Sequence, residues 1–233
     1  MYKPPFVEDE IYHIYNRGVE KRNIFLDDED YLRFIHNLFE FNDIAPAGKF
    51  STKKTIGSPT SDVSNGASDD KKRKLIVEIL VFTLMPNHFH LILKQKVENG
   101  IVKFMQKLGT GYANYFNKKY KRVGGLFQGK FKAVVIEKES YFEHISFYIH
   151  ANPLKYLGSP TSETSEISEI LFLEKYRWSS FLDYIGKKNF PSITSRELFL
   201  DFFGSEKKYL EQTKQWVKER KKNFEKIQEI VLE

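Results

Sequence analysis

Apolar and polar positions change period several times along the chain, and each change marks a predicted element. Ile11 to Tyr15 alternates and carries β-branched and aromatic residues, which predicts a strand ended by Asn16-Arg17-Gly18. Asp27-Asp28-Glu29-Asp30 places acids at a helix N-terminus, and Tyr31, Phe34, Ile35, Leu38 and Phe39 follow at helical spacing. Residues 46–74 are polar and rich in Ser, Thr, Gly, Asp and Lys, which predicts a loop or disordered insert. Two strands are expected next, about Leu75 to Leu84 and Asn87 to Lys94, with Pro86-Asn87 as the break. A helix over Asn99 to Tyr120 keeps Phe104, Leu108, Tyr112, Tyr115 and Phe116 on its apolar side. After the Gly124-Gly125 turn, Leu126 to Ile136 is strand-like. Ser140 is a good N-cap for a helix from about Tyr141 to Ile149 or beyond. Residues 158–170 read as a second polar loop. The five residues Gly-Ser-Pro-Thr-Ser occur in both inserts, at 57–61 and 158–162, as linker composition and not as a repeat fold. From Ser205 the tail predicts one charged amphipathic helix, with Tyr209, Thr213, Trp216, Val217, Phe224, Ile227 and Val231 near one side. This order predicts an α+β domain in a ferredoxin-like layout, with helices on one face of a mainly antiparallel sheet.

Composition narrows the chemistry. The chain has 233 residues, which suits one medium domain with extensions or at most two small ones. With no cysteine, disulfides, thiolate metal sites and cysteine nucleophiles are excluded, and a reducing compartment fits. No apolar run is long enough to span a bilayer and Met1 to Pro5 has no signal-peptide core, so a soluble, cytoplasmic protein without a membrane partner is expected. The net charge of +6 permits a polyanionic partner without demanding one.

The sharpest chemical signal is His88-Phe89-His90. On a strand, positions i and i+2 share a face, so the two imidazoles stand side by side while Phe89 points into the core. Two neutral imidazoles so placed can bind one divalent cation, but the pair needs at least one more ligand. His144, Tyr148 and Asn152 fall at i, i+4 and i+8 on the later helix and can share one face. A tyrosine between two possible ligands, presented to a His-x-His strand, suits phosphoryl transfer: the cation offsets charge on the phosphate and the phenol attacks it. Tyr112 and Tyr115 are rivals to Tyr148, although their spacing with Phe104, Leu108 and Phe116 looks more like core packing.

At this point the residues resemble a known family. His88-Phe89-His90 is similar to the "HUH" signature of single-strand endonucleases, in which U is a bulky apolar residue. Tyr148-Ile149-His150-Ala151-Asn152-Pro153 resembles the nucleophile motif of the one-tyrosine HUH transposases, and within them the REP-associated tyrosine transposases. Tyr12 to Gly18, Phe25 to Asp30, Met85-Pro86-Asn87, Gly125 to Lys132 and Trp178-Ser179-Ser180-Phe181 also resemble that branch, in matching order. The resemblance implies an HUH endonuclease domain over residues 8–186, interrupted by the inserts 46–74 and 158–170, and a C-terminal helical extension over 187–233.

The resemblance also implies a metal-dependent endonuclease and strand transferase, a transposase that cuts single-stranded DNA near hairpins through a 5′-phosphotyrosine. Its cofactor would be Mg²⁺ or Mn²⁺. Carried over by position, Tyr148 is the nucleophile, His88 and His90 are metal ligands, and Asn152 takes the third ligand position with a carbonyl oxygen suited to Mg²⁺. The family often has Leu where this chain has Ala151. His144 stays open between fourth ligand, proton shuttle and surface histidine, with ligation the least favoured. His150, two residues from Tyr148 and so on another side of the helix, reads as structural. His13 and His36 have no evident partner.

The partner would be single-stranded or hairpin DNA, with nucleoid association when bound, and a homodimer is left open. Arg17, Lys21, Arg22, Lys118, Lys119, Arg122, Lys130 and Lys132 are the candidate DNA contacts, because cations mixed with aromatics suit single strands. For any one of them a solvated face is the blander reading. The tail from Lys214 to Lys226 reads as a solvated packing helix. The main alternative is a transposase descendant that binds hairpins without cutting. A replication or conjugation initiator and a small-molecule metal hydrolase are further readings, and the basic, aromatic-rich segments argue against the hydrolase.

Overall fold

The computed structural model describes residues 6–45, 73–137, 139–157 and 166–231. Strand β1 (Ile11–Arg17) leads to helix α1 (Asp28–Glu40), then strands β2 (Val77–Met85) and β3 (His88–Gln95), helix α2 (Gly100–Lys119) and strand β4 (Lys132–Val135). The sheet order is β2-β3-β1-β4 and every neighbouring pair is antiparallel. This is the βαββαβ ferredoxin-like arrangement, an α+β fold. Asp27 caps α1 by accepting from the Asp30 amide, and Asp28, Glu29 and Asp30 occupy its first turn, where the helix dipole favours acids.

The helices cover both faces of the sheet, not one. Tyr12, Ile14, Phe82, Leu84, Phe89, Leu91 and Leu93 face α1 and α2. Tyr15, Leu80, Val81 and Ile92 face the opposite way, toward helix α3 (Glu139–Ala151) and the helices after it. The reason lies in β2 and β3, which are apolar on both sides, as strands buried on both faces must be. A bulge between Ile79 and Val81 resets the alternation, so Ile79 and Phe82 both reach the α1–α2 side.

Four further boundaries differ from the expectation. The strand-like run 126–136 is a strand only over Lys132–Val135, because Gly129 turns at φ +73° and Phe127 makes only an isolated bridge to Gly18. Helix α3 begins at Glu139, so Ser140 lies inside it. The first insert lies outside the described residues, apart from 73 and 74, as does the second over 158–165. Residues 166–170 are not loop: they open helix α4 (Glu166–Lys175), whose Ile170 and Leu173 share the core with α3. The tail is two helices, α7 (Glu206–Lys218) and α8 (Arg220–Val231), after the short α5 (Phe181–Tyr184) and α6 (Glu197–Phe203). Ser205 caps α7 by accepting from the Lys208 amide at 3.2 Å. The chain bends after Lys218, and that bend lets Trp216 and Phe224 meet at 5.3 Å between ring centres.

Candidate nuclease site

Sheet register builds the site. Antiparallel pairing sets Tyr15 opposite His90, Arg17 opposite His88 and Lys132 opposite Tyr15, and directly opposed residues share a face. One row across the sheet therefore runs Lys132, Tyr15, His90, with His88 and Arg17 in the next. Phe89 points the other way, between Phe34 and Phe127, and is 2% exposed.

Helix α3 crosses the face that carries the histidines. Its Tyr148 ring lies 6.0 Å from the His90 ring and 6.3 Å from the His13 ring, both edge-on. Tyr112 and Tyr115 belong to α2, on the far side of the sheet. Tyr112 is in the core there and donates to the Ile24 carbonyl, and Tyr115 donates to Asp30. Asn152 follows α3 directly and is buried; its Nδ2 donates to the Tyr148 carbonyl at 3.2 Å, and its Oδ1 has no hydrogen-bond partner. His144 does not line the cavity described below.

His13 belongs to this cluster although no sequence feature named its partner. Its Nε2 lies 2.9 Å from His90 Nδ1 and its Nδ1 lies 3.3 Å from the Tyr141 hydroxyl. The available signal was parity: His13 and Tyr15 alternate on β1, so whatever faces Tyr15 also faces His13. His88 Nδ1 lies 2.6 Å from Asn87 Oδ1. Burial, with help from the Lys155 cation, lowers His13 to about 3. Burial, then Lys155 and Arg17, lowers His88 to about 4. His90 is held well below 6.5 by burial, then by His88, His13 and Lys155. All three imidazoles are thus neutral at pH 7, the form that can ligate a metal. Among the described residues no three His, Asp or Glu side chains form a ready metal cluster.

A cavity of about 300 Å³ opens beside His88 and His90. Arg17, Lys21, Lys130, Lys132 and Lys155 line it with Tyr15, Asn16, Asn87 and Gln128, and among the described residues no carboxylate does. Four of the eight candidate DNA contacts therefore gather here. The other four do not line it. Lys119 is held by Asp27 at 2.7 Å, Asp30 at 2.9 Å and Glu29 at 3.0 Å. Arg122 bonds Asn117 on its own helix end, Lys118 stands exposed on α2, and Arg22 packs beside Gly18. Lys155 is the cavity cation that sequence reasoning missed. His150 sits away from the cavity, between the Tyr209 hydroxyl at 2.7 Å and Ser180 Oγ at 2.8 Å.

The family described as "Transposase IS200 like" matches residues 53–152, a stretch that contains His88, His90, Tyr148 and Asn152. The match supports the resemblance to tyrosine transposases read from the motifs. Among solved structures, one described as a REP-associated tyrosine transposase bound to a REP hairpin is similar at 13% identity and a TM-score of 0.48, over 80% of this chain and 85% of that one. No curated protein matches the chain. Among the described residues no helix is long and apolar enough to cross a membrane.

Proposed function

We propose that this protein is a divalent-metal-dependent single-strand DNA endonuclease and strand transferase that acts beside hairpins. The observation that carries the reading is the gathering of Arg17, Lys21, Lys130, Lys132 and Lys155 around the cavity beside His88 and His90, on the face crossed by the Tyr148 helix. Such a cavity suits a phosphate backbone. His88, His90 and the orphaned Asn152 Oδ1 would hold Mg²⁺ or Mn²⁺, which when bound would offset charge on the phosphate oxygens.

The chain's own residues prepare this chemistry. For His90 to offer Nε2 as a ligand, its Nδ1 carries the proton and donates to His13 Nε2. His13 then carries its own proton on Nδ1 and donates to the Tyr141 oxygen. Arg17, Lys21, Lys130 and Lys132 track the phosphates. The Tyr148 oxygen forms the new bond to phosphorus while the bond to the 3′ oxygen breaks. The electron pair leaves with the 3′ oxygen, and the phenol proton is lost as a 3′ hydroxyl forms.

One observation favours a second reading, hairpin binding without cutting. Tyr148 is 0% exposed, with Phe224 of α8 5.2 Å from its ring and the Lys155 ammonium 5.2 Å from the ring centre. Cutting requires that cover to move. Incubating the protein with 3′-end-labelled hairpins bearing single-stranded flanks and Mn²⁺, then denaturing it, separates the two readings. A label that stays with the protein supports cutting; binding without any retained label supports the second reading.

The two groups of candidate cations respond differently to removal. Lys119→Met leaves the fully buried Asp30 short of a partner and lowers stability by roughly 1–3 kcal/mol, with hairpin affinity unchanged. Lys132→Met stays within about 0.5 kcal/mol of the parent stability but weakens hairpin binding and flattens its salt dependence. Urea melts and fluorescence anisotropy read both effects, and a Lys119 variant that lost affinity without losing stability would contradict the assignment.

A further inference from the structure

We propose that Lys155 is a further catalytic residue: its ammonium takes an oxygen of the DNA phosphate in the His88–His90 cavity and holds that phosphate against the Tyr148 oxygen. The proposal rests on the strand-cutting reading above. Lys155 lies in the 3₁₀ turn Asn152–Leu157, seven residues after Tyr148, so the segment that positions Asn152 also positions this cation. It is exposed and lines the cavity, yet its Nζ lies 5.2 Å from the centre of the Tyr148 ring and 5.0 Å from that of Phe224. Tyr148 itself does not line the cavity. Lys155 thus bridges the space a phosphate can enter and the buried phenol it must reach. Its charge also depresses His13, His88 and His90, which places it electrostatically at the same centre.

An ammonium over aromatic faces is held by about 0.5–2 kcal/mol. A charge-assisted bond to a phosphate oxygen is among the stronger polar contacts, and a lysine on a flexible stem can turn to make it. An arriving phosphate therefore competes with the two rings for the Lys155 ammonium. Lys155 exchanges no atom in the reaction; it offsets charge on the phosphate oxygens while phosphorus passes from the 3′ oxygen to the phenol oxygen.

The test uses the full chain with Lys155→Met, which keeps the stem over the rings without the charge, and Lys155→Arg, which keeps the charge. The probe is the labelled hairpin that gives an adduct with the unaltered protein. At saturating DNA, Lys155→Met is expected to slow single-turnover adduct formation on the order of 10²-fold, with Lys155→Arg recovering most of it. In EDTA, where no adduct forms, the Met variant should bind with a salt slope shallower by about 0.7–0.9, one phosphate contact. An unchanged adduct rate at saturating DNA, or an unchanged salt slope, overturns the proposal. If the unaltered protein forms no adduct with any hairpin, the strand-cutting reading has failed, and the salt slope alone still decides whether Lys155 meets a phosphate. Circular dichroism melts confirm folding, and Lys155→Gln replaces the Met variant if it does not fold.

Discussion

Replacing Tyr148 with Phe is expected to abolish the covalent protein–DNA adduct while hairpin binding stays within about threefold of the parent. The ring is what the fold uses: it packs against His13, His90 and Phe224, and Phe preserves those contacts. In the proposed reaction the hydroxyl is the nucleophile. Deleting one buried hydroxyl changes stability by about 1 kcal/mol, whereas deleting a nucleophile removes the only atom that can bond to phosphorus. The adduct rate should fall by at least about 10³-fold, roughly 4 kcal/mol of barrier. The measurement is label retained by the protein after denaturation, read beside anisotropy on the same hairpin. Retained label on the Phe variant would move the nucleophile to another tyrosine, and Tyr112 and Tyr115 are poor substitutes because they lie across the sheet from His88 and His90.

The second large effect is acid destabilisation. His13 and His150 are fully buried, and burial lowers each from 6.5 to about 3, with Lys155 adding to the shift at His13. Above pH 6.5 both residues are neutral whether the chain is folded or unfolded, so they add no pH dependence. Below 6.5 the unfolded chain takes up a proton at each of these two sites that the folded chain refuses, as it also does at His88 and His90, and stability falls until the pH nears 3. Each histidine contributes about 1.4 kcal/mol per pH unit in that window, so the pair removes about 2–3 kcal/mol between pH 6 and pH 5. Such a loss is a large share of a typical domain's stability. Urea unfolding at pH 7.5, 6 and 5 measures it, and His150→Gln should remove that residue's own share of the slope, about 1.4 kcal/mol per pH unit. Equal stability at pH 6 and pH 5 would show that these imidazoles are not held neutral.

Local pattern carried a good deal of this site. The i, i+2 placement of His88 and His90, the inward Phe89 and the helical spacing of Tyr148 and Asn152 follow from strand and helix periods alone. The acidic start of α1 and the α2 bounds were equally legible, because an acidic first turn and an amphipathic stripe are local, whereas Ser140, expected as an N-cap, lies inside α3. What local pattern misjudged were elements whose reason is distant. Residues 166–170 look polar until Ile170 and Leu173 meet the α3 core, and the tail looks like one helix until Trp216 and Phe224 fold back on each other.

By itself the sequence determined the strand and helix periods, and with them which residues on each element share a face. It could not choose among basic residues, because charge has no period and says nothing of what a side chain meets. Only the tertiary structure decided that Lys119 is spent on three carboxylates while Lys130 and Lys132 line the cavity, and that Lys155 joins that cavity to Tyr148. It also turned His13 from an isolated histidine into the partner of His90. The physical reason is the same in each case: register across the sheet and the crossing of α3 bring together residues far apart in the chain, and those contacts set which groups are neutral, which are paired and which face the cavity.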